Sequence, residues 1–321
     1  MMSMNDTTKI CDNIFEAIHQ LDPHNIIFNN DIRSGGLSHH PRYTYIDMGD
    51  GTIGACTLNH SLLYFRGECN LYDHCYSSLD RIKSEDDKMV CQIRTQDFIL
   101  LLKRNPEIQA AIEHKEYVDF TALAQHYGFP TKMLDVTNDI LIAAYFATHD
   151  TNPLSGAFEI KKSGIGRIRW SIEHIRPTGR LGIVGMQPLA RPGAQNAFGI
   201  YLGEKEDYAE SSYSIEFIQD PTANEDFHKV ILGGPQMIYP NENVNILVNR
   251  IQNSTCVTTQ AVTTYCQEYG KQREDVFGIL QSKNIYVVDA PIADWCLLQG
   301  KVNSVPSFRR NQVLRPAFIL G

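Results

Sequence analysis

Gln125-His126-Tyr127-Gly128-Phe129-Pro130-Thr131-Lys132-Met133-Leu134-Asp135-Val136-Thr137 is the stretch on which the reading of this chain turns. It follows a helical pattern running from Tyr117 to Tyr127. That pattern has to stop at Gly128-Phe129-Pro130, because glycine takes the left-handed position after a helix and proline cannot continue the hydrogen-bond ladder. A new helix follows, capped by Thr137, Asn138 or Asp139 and filled by Ile140 to Thr148. Being apolar nearly all round, it is expected to be buried. Upstream, Leu62 to Arg66 is a short apolar run closed by Gly67, read as a strand. The two segments together put an arginine after an apolar run and a Gln-His-Tyr cluster at a helix end. Those groups suit an anionic, hydroxyl-rich ligand such as a nucleotide.

Further from this centre, Ile10, Ile14, Ile18 and Leu21 recur at helical spacing, which predicts an amphipathic helix over 7–21, ended by Pro23. Residues 29–59, rich in Gly, Asn, Asp and Ser, read as loops and short strands. Thr95-Gln96-Asp97 before Phe98 to Leu102 predicts a capped helix, and Pro106 suits the first turn of another. Strands are expected over Gly156 to Lys162, Ile165 to Trp170, Phe198 to Leu202, Val230 to Leu232 and Ile285 to Val288. Helices are expected near Ala261 to Glu268 and Arg273 to Gln281, and the charged residues 203–212 read as a linker or loop. Steady strand–helix alternation is missing, so the pattern is α+β and not a doubly wound parallel sheet.

At 321 residues the chain is long enough for one large domain or two of about 150 residues. Hydrophobic residues at 43% and charged residues at 21% describe a globular protein with a sizeable core, not a disordered one. A net charge of −8 argues against wholesale phosphate-backbone binding, which needs a basic footprint. The series Arg167, Arg169, Arg176 and Arg180 stays open as a local basic patch or a solvated face. Met1 to Gln20 is polar, and Ile140 to Ala147 is far short of the ~20 apolar residues that span a bilayer. Eight scattered cysteines without a Cys-x-x-Cys pair read as reduced thiols. A cytoplasmic protein with no membrane partner is therefore expected.

Several motifs fail. Gly164-Ile165-Gly166 lacks the third glycine and the flanking βαβ unit of a dinucleotide fingerprint. Cys69, His74 and Cys75 have no second Cys/His pair at zinc spacing, so no metal is expected. What remains is Arg66, Gln125, His126, Tyr127, Asp135 and a third cluster of Arg191, Gln195 and Phe198. Arg66 either grips a phosphate or ribose in a bidentate manner or forms an ordinary salt bridge. Asp135, in apolar company, must be paired, as a cap or a brace. Gln195, just before a strand, either bonds a ribose or base or satisfies a sheet edge.

Phe65-Arg66-Gly67, the 125–137 stretch and Ala194-Gln195 with Phe198 resemble the motifs of the FRG domain, named for its Phe-Arg-Gly. The resemblance runs over roughly 60–202, with the middle motif the specific one. Glu68, Lys132 and Val136 stand where the family usually has Gln, Arg and Trp; at 132 the bidentate contacts of an arginine are given up. The same first-strand arginine resembles that of ADP-ribosyltransferases, and FRG proteins occur as toxins beside antitoxins and in anti-phage systems. The resemblance thus implies an ADP-ribosyltransferase-like mixed core over 60–205 with helical insertions. It would lie between an N-terminal extension (1–59) and a C-terminal α+β portion (206–321) packed on it. It implies NAD as substrate, held by Arg66, Gln125, His126, Tyr127, Thr131, Asp135 and Arg191, with Arg66, His126 and Gln195 acting in catalysis. The target would be RNA, DNA or protein, and an antitoxin or chaperone a possible partner. Gln195 stands near the place of the usual catalytic glutamate, with Glu159, Glu204 and Glu216 as substitutes. Nucleotide sensing without turnover, or a pure interaction module, are the alternatives.

Overall fold

A computed structural model describes residues 10–21, 43–57, 63–151, 158–175, 179–185, 187–231, 238–240 and 242–298. In chain order the elements are α1 (Ile14–Leu21), β1 (Tyr43–Asp47), β2 (Ile53–Thr57), β3 (Leu63–Glu68), α2 (Glu85–Lys103), α3 (Pro106–Glu113), α4 (Phe120–His126), β4 (Met133–Thr137) and α5 (Ile140–Thr148). Next come β5 (His149–Thr151), β6 (Phe158–Ile160), β7 (Ile165–Ile172), β8 (Leu181–Ile183), the short α6 (Ala190–Ala194), β9 (Ala197–Tyr201), β10 (Tyr213–Ile218) and α7 (Pro221–Ile231). The chain continues through α8 (Val244–Gln252), β11 (Cys256–Thr258), α9 (Thr259–Tyr269), α10 (Arg273–Ser282) and β12 (Tyr286–Val288).

The centre is a six-stranded antiparallel sheet in the order β10-β7-β3-β4-β9-β8. Successive residues of a strand point to opposite faces, and β3 shows both. Phe65 packs into a cluster with α1, α5 and Phe227 of α7, while Tyr64 joins Phe198, Ile200 and Tyr208, a cluster that Met48 and Cys56 of the β1–β2 region also enter. Gly67 lets α5 lie directly on β3: a Cβ there would sit 1.9 Å from the Ala143 carbonyl oxygen and 2.6 Å from the Ala147 nitrogen. The mixed helix-and-sheet class agrees with the α+β expectation.

A second body of helices packs around α2. Phe98, Leu101 and Leu102 meet α3, α4 and α8, while Met89, Val90 and Ile93 meet α9, α10 and Val257. Ser84, Asn105, Asp119, Asp139 and Thr258 each cap the helix they precede, accepting a hydrogen bond from its first turn. Gly128 follows α4 at φ +82°, the left-handed stop that the sequence predicted.

Several expectations need correction. The helix expected to begin at Thr95 begins ten residues earlier, with Glu85, Asp86 and Asp87 complementing the dipole of its first turn. Asp97 is therefore no cap of that helix; it is buried in mid-helix and bonds Thr258. Met133–Thr137, read only as a turn between helices, is a central strand. Four of its five residues are buried, so the period-two signal of a half-exposed strand is missing. The strand expected at Val230 to Leu232 is the end of α7, with Leu232 outside the described residues. The charged stretch 203–212 is no free linker. Tyr208 in it is fully buried, and Asp207 accepts hydrogen bonds from the Cys75 nitrogen and His74. The sheet also reaches past residue 205, because β10 is its edge strand. Of the helix expected over 7–21, Ile14–Leu21 is helical, Cys11 bridges to Phe217 in extended form, and 7–9 lie outside the described residues.

Candidate functional site

Arg66 is carried near the end of β3, on a sheet strand paired on both sides. Its Nη1 donates to the Asp135 carbonyl on β4 at 2.9 Å. Its Nε is buried and has no hydrogen-bond partner. The nearest carboxylate, Glu68, is 3.9 Å away and is shared: Arg169 Nε reaches it at 3.1 Å and Arg167 at 3.7 Å. One buried carboxylate thus faces three guanidinium groups. Arg66 thus does form the ion pair weighed as an alternative, but a long one to a carboxylate it shares, and its Nε is left without a hydrogen bond, at a cost of about 1–3 kcal/mol.

Arg66 opens on a cavity of about 280 Å³. Arg81, Tyr72, Tyr76, Phe146 and Tyr239 share the wall with it, as do Glu68, His149 and Asp150. The volume lies near the lower end of the roughly 300–1,000 Å³ usual for ligand sites. Cations beside aromatic rings suit a phosphate attached to a flat base or ribose. His149 adds no charge: burial first, and the neighbouring His228 in addition, bring its pKa down to about 4. Its Nε2 lies 3.0 Å from His228 Nδ1, and its Nδ1 donates to the Tyr145 carbonyl. Cys75, its thiol pushed up chiefly by burial, lines the wall beside Glu68.

The other residues expected at the site gather behind Arg66 and not on the cavity. Gln125 Oε1 accepts from the Ser78 and Thr131 hydroxyls at 2.7 and 2.9 Å, and its Nε2 donates to Asp135 Oδ2 at 3.1 Å. His126, with 4% of its side chain exposed, sets Nδ1 3.1 Å from Gln195 Oε1 and Nε2 3.5 Å from Asp135 Oδ1. Burial holds the His126 pKa below the ordinary histidine value, against the pull of Asp135, so the ring is neutral. Gln195 also donates to the Ile238 carbonyl at 3.2 Å, so it does not serve a sheet edge. Tyr127 donates to Glu242 at 2.6 Å, and Arg191 lies over its ring at 4.5 Å while donating to the His126 carbonyl and Asn245. Thr131 also accepts from the Met133 nitrogen. Asp135 is a brace, and Asp139 is the cap of α5.

The arginine series is not a patch. Arg169 is buried against Glu68, Arg167 pairs with Glu216 at 2.7 Å, and Arg180 pairs with Glu173 and Glu206; Arg176 lies outside the described residues. Glu216 is thereby engaged on β10, Glu159 and Glu204 are exposed, and none of the three lines the cavity. Lys132 is also exposed and away from it. Sequence reasoning missed Tyr72, Tyr76, Arg81, Phe146, His149, Asp150 and Tyr239. They come from loops and helix ends far apart in the chain, and no local pattern joins them.

Residues 61–155 match the family model of the FRG domain. The match includes Arg66, Arg81 and the 125–137 stretch but ends before Arg191 and Gln195. No curated protein and no solved structure matches the chain. The Phe65-Arg66-Gly67 strand, its helix-lying glycine and the braced 125–137 segment thus lie within a unit, residues 61–155, that is similar to the FRG domain.

Proposed function

We propose that the chain is an NAD-dependent ADP-ribosyltransferase that modifies RNA, DNA or protein, in the manner of a toxin or anti-phage effector. The observation that carries this reading is Arg66, which lines a cavity walled by a second arginine and four aromatic rings, while its buried Nε makes no hydrogen bond. In the reaction the bond between the ribose C1′ and the nicotinamide nitrogen breaks, and its electron pair leaves with nicotinamide. A nucleophilic oxygen or nitrogen of the target bonds to C1′ and gives up its proton. Arg66 orients the substrate through its phosphates, and fixed charge around the site stabilises the oxocarbenium-like state. Among the described lining residues the carboxylates are Glu68 and Asp150. Glu68 is buried and held by arginines, so we assign the proton to Asp150, whose side chain is 47% exposed and 3.4 Å from Lys161.

The test is growth on induction of wild type against Arg66→Ala at matched levels of folded protein, followed by incubation with labelled NAD and cell lysate. Arrest by the wild type alone, with label transferred to RNA, DNA or protein, is expected; no transfer to any fraction would sink the reading. A second reading, nucleotide binding without turnover, is favoured by the position of Glu159, Glu204 and Glu216 away from the cavity. It predicts saturable NAD binding with no release of nicotinamide.

A further inference from the structure

The 125–131 segment holds a second arginine as well as the first. Ser78 donates to Gln125 Oε1 at 2.7 Å, and its hydroxyl accepts from the Thr131 nitrogen at 3.0 Å. The Leu79 nitrogen donates to the Thr131 carbonyl at 3.1 Å, and the Arg81 nitrogen donates to the Ser77 carbonyl at 3.2 Å. The turn over 77–82 is thus fastened to the motif, and Arg81 stands at its end on the cavity wall. Gln125 is common to both arms. Its Oε1 fixes the turn that carries Arg81, and its Nε2 fixes Asp135, whose carbonyl holds Arg66.

Arg81 is exposed, and among the described residues its guanidinium has no hydrogen bond or ion pair. Desolvation by the wall first, and the like charge of Arg66 second, hold it below the ordinary arginine pKa. Two cations on one cavity wall repel each other, and the Glu68 carboxylate there is already shared by Arg66, Arg167 and Arg169. A ligand bearing two adjacent anionic groups offsets that repulsion and can accept from both guanidinium groups. A diphosphate brings more acceptor oxygens and more negative charge to the pair than a single phosphate does.

We infer that the cavity is a diphosphate site in which Arg66 and Arg81 form a two-arginine clamp, with Gln125 as the positioning residue that sets the two in register. The inference rests on the nucleotide reading of the cavity but not on transfer of ADP-ribose. The site would therefore prefer nucleoside diphosphates and dinucleotides to nucleoside monophosphates.

Titration calorimetry with ADP, AMP and inorganic pyrophosphate on the full chain tests it. Wild type is expected to bind ADP at least about tenfold more tightly than AMP, the ratio that one charge-assisted contact supplies. Arg81→Gln is expected to bring that ratio close to one while AMP binding stays within about twofold, and Arg81→Lys to restore part of it. Arg81 is exposed, so the variant keeps the fold, checked by its melting temperature. An unchanged ADP-to-AMP ratio in Arg81→Gln would overturn the clamp, as would the absence of ADP and pyrophosphate binding by the wild type. Diphosphate preference without nicotinamide release from NAD would leave the clamp standing and remove the transferase reading.

Discussion

Arg66 and His126 approach the same residue, Asp135, the first on its backbone carbonyl at 2.9 Å and the second on its carboxylate at 3.5 Å. Arg66 keeps a guanidinium nitrogen without a partner and faces a cavity. His126 is sealed from solvent and neutral, and its neighbours Gln125 and Tyr127 have their polar groups engaged by Ser78, Thr131, Asp135 and Glu242. The short motif presents chemistry, and the long motif holds it in place. A long, specific sequence motif reports how many interior contacts must be met at once, not how many groups touch a ligand.

The largest expected effect separates the two. Arg66→Gln should lower label transfer from NAD by about 10²–10³-fold, the loss usual when one preorganised charge-bearing donor is removed. Its unfolding free energy should stay within about 1 kcal/mol of wild type, because only one hydrogen bond is given up and a crowd of arginines around Glu68 is relieved. Paired denaturation and transfer measurements check this. A loss of stability as large as the loss of activity would make Arg66 a structural residue like its neighbours in the long motif.

Next in size is Gly67→Ala. The added Cβ meets backbone atoms of α5, at 1.9 Å from the Ala143 carbonyl oxygen, and neither the strand nor the buried helix can yield cheaply. Destabilisation at the upper end of overpacking costs, about 3 kcal/mol, is expected in urea unfolding. The glycine of the short motif is therefore about packing, and the arginine beside it about the ligand. A change below about 0.5 kcal/mol would show that α5 shifts freely on β3.

The sequence disclosed the parts built from local rules. The stop at Gly128, a cap within 137–139, Pro106 in a first turn and the buried α5 were all legible because each depends on a few adjacent residues. Met133–Thr137 was not, since a strand buried on both faces loses its alternation. Arg66 was picked out by its place after an apolar run. Arg81 was invisible: it sits in a turn whose position is set by Ser78 and Thr131, residues 53 apart in sequence.

The pH response contrasts the same motif region with the helical body. Burial raises Asp97 from 3.8 to about 6, so the folded state binds a proton more tightly than the unfolded one. Its stabilising contribution is therefore complete below pH 3.8 and is lost as pH rises through 6, a change of about 2–3 kcal/mol. His126 has the opposite sign. Its folded pKa lies below its ordinary value of 6.5, so its contribution is present above that value and is lost as pH falls. Stability measured from pH 4 to 7 in Asp97→Asn should lose the decline on raising pH and keep the decline on acidification. Loss of the acid-side decline in that variant would mean that Asp97 and His126 are not independent.

The smallest effect on stability tests the division most directly. Gln125→Leu removes the bonds to Ser78, Thr131 and Asp135, but the first two hydroxyls have other partners: Ser78 can donate to the Thr131 carbonyl at 3.2 Å, and Thr131 still accepts from Met133. A half-buried site in which most groups find another partner costs about 1 kcal/mol. If Gln125 only fills space, ligand affinity should follow that small loss and the ADP-to-AMP preference should be unchanged. If it sets two arginines in register, the preference should fall about tenfold while AMP affinity barely moves, because one phosphate needs one guanidinium and two phosphates need both at a fixed spacing. A motif residue that never touches the ligand would then be recognised by a selectivity it controls, and the split between presenting and holding would be a matter of distance from the ligand, not of importance to it.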